Sequence, residues 1–244
     1  PDKRKLFAEL LERKQNLQRT QDAQKNFLSF VKFMWPDFVE GTHHRIIAEK
    51  FNRIADGTLK RLIVNMPPRH TKSEFASFML PAFIMGRNPL TKIIQTSHTA
   101  ELSQRFGRKT KQLIDSSDYK KVFPDTGLQA DSKAAGRWDT SAGGEYFAAG
   151  VRGAITGRGA DLLIIDDPHS EQAALSETAM ENAYAWYTSG PRQRLQPGGA
   201  IVLVMTRWST IDLTGQLMKA QVEPKADQWE VVEFPAIMDS GMPT

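Results

Sequence analysis

A repeated alternation of short apolar runs with helical patterns constrains the fold of this 244-residue chain more than any other feature. Helical spacing of apolar residues separates the runs, at residues 72–86, 100–115 and 176–190. Apolar runs of this kind are typical of strands that are buried on both faces. We therefore predict an α/β fold, with a mostly parallel central sheet flanked by helices. The four runs are residues 61–66 (RLIVNM), 91–97 (TKIIQTS), 160–167 (ADLLIIDD) and 200–206 (AIVLVMT).

Weaker patterns describe the rest of the chain. We expect Pro81 to kink the helix at 72–86, because proline disrupts a helix interior. We also expect a helical N-terminal extension at residues 1–34 and one α/β domain at residues 35–244. The remaining predicted elements are one or two amphipathic helices at 3–33, a helix from 43 to Gly57, a β-hairpin with a Gly-Gly turn at 136–150, a helix at 210–221 and a last strand at 229–236.

Composition excludes several classes of protein. The chain has 32 Lys and Arg against 28 Asp and Glu, a mild basic excess that permits a polyanionic partner without establishing one. It has no cysteine, which excludes disulfides and thiolate metal sites. No apolar run is long enough to span a bilayer, and the first residues lack a hydrophobic signal core. We expect a soluble, intracellular protein that is not secreted.

Polar clusters follow three of the predicted strands directly. Residues 67–73 follow the first strand, Asp166 and Asp167 end the third, and Thr206 and Arg207 end the fourth. Ligands of parallel α/β sheets bind at the carboxyl ends of the strands. We therefore expect the three clusters to meet in one site.

The first cluster, in the segment NMPPRHTKSE (65–74), ends in Lys72-Ser73 as a phosphate-binding loop does. Met66 and Thr71 occupy the positions of its two glycines, so we expect Pro67 and Pro68 to hold an extended entry instead. Taken alone, a Lys-Ser after a strand is more often a plain helix start. An acidic pair after another apolar strand favours a nucleotide site, because Mg²⁺ needs a carboxylate beside the hydroxyl.

Four segments together resemble the ATPase domain of the large terminase subunit of tailed bacteriophages, the motors that drive double-stranded DNA into preformed capsids. The resemblance spans roughly residues 35 to 240. It implies a P-loop NTPase fold of the ASCE or RecA-like type and hydrolysis of ATP with Mg²⁺. The segments are RLIVNMPPRHTKSE (61–74), TGRGADLLIIDDPHS (156–170), VLVMTRW (202–208) and DLTGQL (212–217).

The resemblance also implies roles for single residues. Lys72 would bind the β- and γ-phosphates, and Ser73 and Asp166 would hold Mg²⁺. Thr206 would belong to the family's coupling motif. The equally weighted alternative is a structural threonine whose hydrogen bonds are satisfied at the end of its strand. The rest of the loop would line the nucleotide, with Arg69 as an extra cation and His70 structural or facing solvent; these loop residues are Pro68, Arg69, His70 and Thr71.

Several assignments stay open at this stage. The catalytic carboxylate is Asp167 or Glu171, and we prefer Asp167. For an arginine that acts on the neighbouring subunit, Arg158 is the first candidate and Arg152 the second. Each of them is equally well explained as an arginine that only holds its own loop in place. His43 and His44 lie where the family places the adenine base.

A basic helix is a candidate DNA-binding face, since phosphate contacts give affinity without sequence preference. A solvated helix face is the commoner explanation. Its basic residues are Arg105, Arg108, Lys109 and Lys111.

The expected partners are double-stranded DNA, the portal protein, the small terminase subunit and further copies in a ring, expected to be a pentamer on the capsid and compatible with a monomer in solution. The expected location is the host cytoplasm, transiently docked on the procapsid. We expect the motor domain alone, without the family's C-terminal nuclease or its activity. Two rivals are a helicase-type remodelling ATPase, for which the chain is too short, and a non-catalytic module that has lost the site.

Overall fold

The computed structural model describes residues 3–132, 134–153, 155 and 157–235. Within them a seven-stranded sheet has the order β3-β4-β2-β5-β6-β1-β7. All neighbouring strands pair in parallel except β3 and β4, so the predicted mostly parallel α/β sheet is confirmed. The strands are β1 (Arg61–Asn65), β2 (Lys92–Ser97), β3 (Arg137–Asp139), β4 (Glu145–Gly150), β5 (Ala160–Asp166), β6 (Leu195–Met205) and β7 (Glu230–Glu233).

Helices cover both faces of this sheet. Successive side chains of a strand point to opposite faces of the sheet. The side chains of each central strand therefore pack into two separate cores. Leu62 and Val64 of β1 lie in the core under α2, α3, α4 and α6, whereas Ile63 lies in the core under α8 and α9. The helices are α1 (Lys3–Lys25), α2 (Phe27–Met34), α3 (Thr42–Ala55), α4 (Leu80–Arg87), α5 (Ala100–Asp115), α6 (Ser117–Val122), α7 (Glu171–Ala174), α8 (Glu177–Ser189) and α9 (Leu213–Ala220).

Helix α2 packs into the first of these cores. Asn26 caps the helix, since its side chain accepts a hydrogen bond from the Ser29 backbone N–H. Phe27 is fully buried and makes edge-on contacts with the rings of Phe51, Phe75 and Phe83, at centroid distances of 5.2 to 5.6 Å. Aromatic contacts therefore join α2 to the helices that follow. The domain boundary at residue 34 stays a prediction.

The predicted kink at Pro81 takes the form of a π-helical stretch, Glu74–Met79, directly before α4. In a regular α-helix the proline ring would clash with the carbonyl four residues earlier. Here the backbone widens, and the Leu80 N–H donates to Phe75 O, five residues back. This stretch lies immediately after the glycine-free loop, and π-helical turns occur frequently at functional sites.

The hairpin prediction is confirmed, with Trp138 opposite Tyr146 in an antiparallel pair. Sequence patterns missed the short helices α6 and α7 and the start of β6. Near the start of β6 the three residues 196–198 are Gln, Pro and Gly and are exposed, so they form no apolar run. The last strand ends at Glu233, and Ala236 of the prediction lies outside the described residues. No helix of the described chain is long and apolar enough to cross a membrane.

Phe27→Ala tests whether α2 belongs to the cooperative core. Removing a fully buried ring should lower the free energy of unfolding by about 3 to 5 kcal/mol in a denaturant titration. Val39→Ala, at a valine that is 82% exposed, should change it by less than about 0.5 kcal/mol. Equal effects of the two changes would contradict the packing described.

Candidate nucleotide site

The carboxyl ends of three adjacent strands meet at Lys72. Strands β5, β6 and β1 are neighbours in the sheet, so the loops that follow them share one edge. The Lys72 ammonium is buried, lies 2.9 Å from Asp167 Oδ2 and donates a 3.1 Å hydrogen bond to Thr206 Oγ1. The predicted convergence of the three polar clusters is therefore present in the structure.

The loop adopts left-handed backbone conformations at two residues that are not glycine. Thr71, at one of the two glycine positions, has φ 65°, and Arg69 has φ 64°. A left-handed conformation costs a non-glycine residue about 1 to 2 kcal/mol. The left-handed turns come after Pro67 and Pro68, so the prolines do not remove them, and the extended entry expected at the two prolines stays a prediction.

His44 holds Thr71 in this conformation. The Gly41 N–H donates to His44 Nδ1 at 2.8 Å, so Nε2 carries the ring proton. That Nε2–H donates to Thr71 Oγ1 at 2.7 Å, and the Thr71 hydroxyl donates to the His70 carbonyl. Burial lowers the pKa of His44 to about 4, and neighbouring His43 adds to the effect. The ring is therefore neutral at pH 7 and fixed in one tautomer.

The rest of the loop faces outward. Pro68, Arg69 and His70 are exposed, and His70 Nδ1 lies 2.8 Å from the Pro68 carbonyl. The expectation that His70 is structural or faces solvent fits this position. Arg69 and the exposed loop backbone are accessible to a ligand at this edge of the sheet.

Two serines bind the buried carboxylate of Asp166. Ser73 Oγ donates to Asp166 Oδ1 at 2.9 Å, and Ser77 Oγ donates to Oδ2 at 2.8 Å. Burial raises the pKa of Asp166 to about 7, with a further rise from Asp167, while the two hydroxyl donors act in the opposite direction. In the described part of the chain no cationic side chain pairs directly with Asp166.

This donor set fits a divalent cation. A hydroxyl and a carboxylate in contact are oxygen ligands of the kind that Mg²⁺ prefers. The Asp166 carboxyl group is buried without a directly paired cation, and an adjacent metal ion would stabilise its ionised form. Ser73 and Asp166 are the residues that would hold the ion.

Asp167 is placed differently from Asp166. It is partly exposed and has φ 42°, a left-handed conformation that aspartate tolerates. Its Oδ1 accepts a 2.8 Å hydrogen bond from the Thr206 N–H, and its Oδ2 pairs with Lys72. Glu171 lies in the first turn of α7 and is exposed. Of the two candidate carboxylates, Asp167 contacts the site.

The two candidate arginines lie at different edges of the sheet. Arg158 precedes β5, pairs with Glu145 at the start of β4, and lies 4.2 Å from the centroid of the Phe147 ring. That is the amino edge, opposite Lys72. Arg152 follows β4 at the carboxyl edge, is exposed and has φ 68°. Neither observation tests a role in a neighbouring subunit.

The basic helix α5 separates into two pairs of residues. Lys109 pairs with Glu74 and lies 4.5 Å from the centroid of the Phe78 ring, while Lys111 donates to the Ser132 carbonyl. Arg105 and Arg108 are exposed. If this helix binds DNA, the two arginines are the available contacts.

Sequence reasoning missed three polar residues that support the site. Ser77 is one of them, and its four-residue spacing from Ser73 was the available signal. His169 Nε2 accepts a hydrogen bond from the Leu213 N–H, which ties the segment after β5 to α9. Buried Asp212 caps α9 through the Gly215 N–H and accepts from Arg207 and from the Trp208 N–H. Arg207 thus supports the fold of this turn.

The shifted pKa of His44 predicts a pH-dependent stability. Its folded pKa, about 4, lies below the ordinary 6.5, so the folded protein binds fewer protons between these values. The contribution of His44 to stability is fully present above pH 6.5 and is lost as the pH falls towards 4. His44→Gln should flatten this part of a plot of unfolding free energy against pH. An identical slope in both proteins would contradict the assignment.

Comparisons with known proteins address the fold. No protein-family model matches the sequence, and no curated protein does. The structure is similar to the crystal structure of the HK97 bacteriophage large terminase, with a TM-score of 0.56 and 13% identity. The match covers 89% of this chain and 45% of that chain, so this chain spans less than half of that protein. The chain therefore has the fold of a large terminase subunit, in the α/β part that the two share.

Proposed function

We propose that this chain is the ATPase motor domain of a viral large terminase, which hydrolyses MgATP to move double-stranded DNA into a procapsid. One observation carries the proposal. A buried lysine and a hydroxyl of the loop after β1 meet two carboxylates at the end of β5, at the carboxyl edge where α/β sheets bind ligands. The terminase-like fold supports the same assignment.

Nucleotide binding would exchange the partners of Lys72. In the proposed complex the ammonium leaves Asp167 and binds the β- and γ-phosphates, with Arg69 as a second cation. Backbone N–H groups of the loop and the helix that starts at Lys72 complete an anion site. The Mg²⁺ held by Ser73 and Asp166 would neutralise phosphate charge.

The adenine base of ATP would lie near a cluster of aromatic side chains beside the loop. The rings of His43 and His44 are 3.8 Å apart, and Phe38 and Phe234 lie next to them. These flat side chains support the assignment of this region to the adenine.

Hydrolysis requires a positioned water more than covalent chemistry. We propose that Asp167, once released by Lys72, orients the attacking water and accepts its proton. The Thr206 N–H fixes the carboxylate, and the Thr206 hydroxyl already contacts Lys72. The same residue thus links the phosphate site to β6 and the turn after it, which is the arrangement that a coupling residue needs.

Translocation would use a ring of copies, with a pentamer on the capsid as the proposed form. Arg158 remains our first candidate for action on a neighbouring subunit and Arg152 our second, although Arg152 lies at the nucleotide edge. Arg105 and Arg108 are the proposed DNA contacts. The proposed protein partners are the portal and the small terminase subunit, on a procapsid in the host cytoplasm.

Phosphate release from MgATP, with and without duplex DNA, tests the proposal. We expect Lys72→Ala to lower turnover by about 100-fold or more, because it removes the buried cation from the phosphate site. Lys60→Ala changes an exposed lysine at the other end of β1 and should leave turnover unchanged. A parent protein that neither binds nor hydrolyses ATP would overturn the proposal and favour a non-catalytic module.

Paired carboxamide variants identify the catalytic carboxylate. Asp167→Asn should lower kcat by about 10² to 10⁴-fold and leave nucleotide binding measurable in a calorimetric titration. Glu171→Gln should stay within about twofold of the parent, since the side chain is exposed in α7. The reverse ranking would assign the role to Glu171.

A further inference from the structure

Helix α1 presents an apolar surface that the described domain leaves exposed. Five large side chains of this helix are each between 47% and 68% exposed. At 100° per residue they lie within an arc of about 140°, as wide as the stripe with which a surface helix normally packs. Such a patch marks an interaction site. The five residues, called the α1 stripe below, are Leu6, Phe7, Leu10, Leu11 and Leu17.

Helix α1 contacts the rest of the domain through its carboxyl-terminal end. Ala23 is the buried residue of the helix, and the Gln24 side chain donates to the Val122 carbonyl of α6. Residues 3–18 are exposed along their whole length. The amino-terminal part of α1 therefore extends away from the layer that contains α2 and α6.

The charge of α1 indicates the chemistry of its partner. The helix has seven basic residues and three acidic ones. On the helical wheel Lys14 lies within the arc of the α1 stripe, and Arg13 lies about 20° outside it. The partner must therefore combine acidic side chains with an apolar surface. A nucleic-acid backbone offers the charge, but it would not bury leucine and phenylalanine side chains.

A groove on the same protein has these properties. It lies between α8 and α9, has a volume of about 600 Å³, and its lining includes Glu177, Glu181, Tyr184 and Ile211. Ile211 is 40% exposed, and Lys219 is the one basic residue of the lining. No lysine or arginine occurs in residues 159–191, the segment that contains α8. We call this surface the α8/α9 groove.

We propose that the α1 stripe of one copy docks into the α8/α9 groove of a second copy. Arg13 and Lys14 would face Glu177 and Glu181, while the stripe covers Ile211 and Tyr184. Within one molecule the two surfaces lie on opposite faces of the sheet, because α1 joins the layer of α2 and α6 and the groove belongs to the other layer. A continuous helix anchored on one face cannot reach the other.

The proposed contact uses two different surfaces, so it is heterologous. Contacts of this type extend from copy to copy and close into a ring or continue as a filament. The proposal does not depend on the ATPase assignment. Lys72→Ala should associate like the parent, which separates a failure of this proposal from a failure of the proposed function.

Engineered cysteines test the contact directly, since the chain contains no cysteine of its own. Phe7→Cys and Ile211→Cys proteins, mixed under mild oxidation, should form a disulfide-linked heterodimer, while each alone stays uncrosslinked. Val39→Cys, at an exposed residue away from the groove, replaces Ile211→Cys in the control mixture and should not crosslink. Crosslinking of Phe7→Cys with itself, or none in the mixture, would overturn the proposal.

A mixing experiment by sedimentation velocity gives a second, independent result. Leu10→Glu damages the stripe and keeps the groove, whereas Glu177→Lys with Glu181→Lys damages the groove and keeps the stripe. We expect each variant alone to self-associate about tenfold or more weakly than the parent, and an equal mixture to form a dimer and nothing larger. Parent-like association of the groove variant would show that α1 pairs with α1. Weaker duplex DNA binding by Leu10→Glu, with association intact, would assign α1 to nucleic acid; either result overturns the proposal.

Discussion

The buried ammonium of Lys72 organises the site. A charge taken out of water requires close partners, and Lys72 finds them in Asp167 after β5 and Thr206 after β6. This arrangement depends on the order of the sheet, in which β6 lies between β5 and β1. A different strand order would separate the three loops, and the lysine would lose its partners.

The glycine-free loop keeps its shape through contacts instead of backbone freedom. Thr71 adopts a conformation that glycine would reach without strain, and its hydroxyl lies between His44 and the His70 carbonyl. The neutral tautomer of His44 is in turn fixed by the Gly41 N–H. Helix α3 therefore supports the glycine-free loop from outside it, and the backbone strain at Thr71 lies within the proposed phosphate site.

Sequence patterns predicted the parts of the fold that depend on neighbours along the chain. The apolar runs identified β1, β2, β5 and most of β6, and the polar residues that follow β1, β5 and β6 predicted a common site. Patterns were less informative where distant contacts decide the outcome. The hydrogen bond from His44 to Thr71 spans 27 residues, and the one from Ser77 to Asp166 spans 89, so neither is visible in a local motif. The positive φ of Thr71 likewise follows from tertiary contacts, because threonine does not favour it.

The central claim is that this loop is a phosphate cradle, and a crystal structure with MgADP and a trigonal phosphate mimic tests it most directly. We predict that the phosphates lie over the loop, that Lys72 Nζ moves from Asp167 to the β-phosphate and the mimic, and that Mg²⁺ lies beside Ser73 and Asp166. A structure in which the nucleotide binds elsewhere, while Lys72 keeps its 2.9 Å contact with Asp167, would contradict the account.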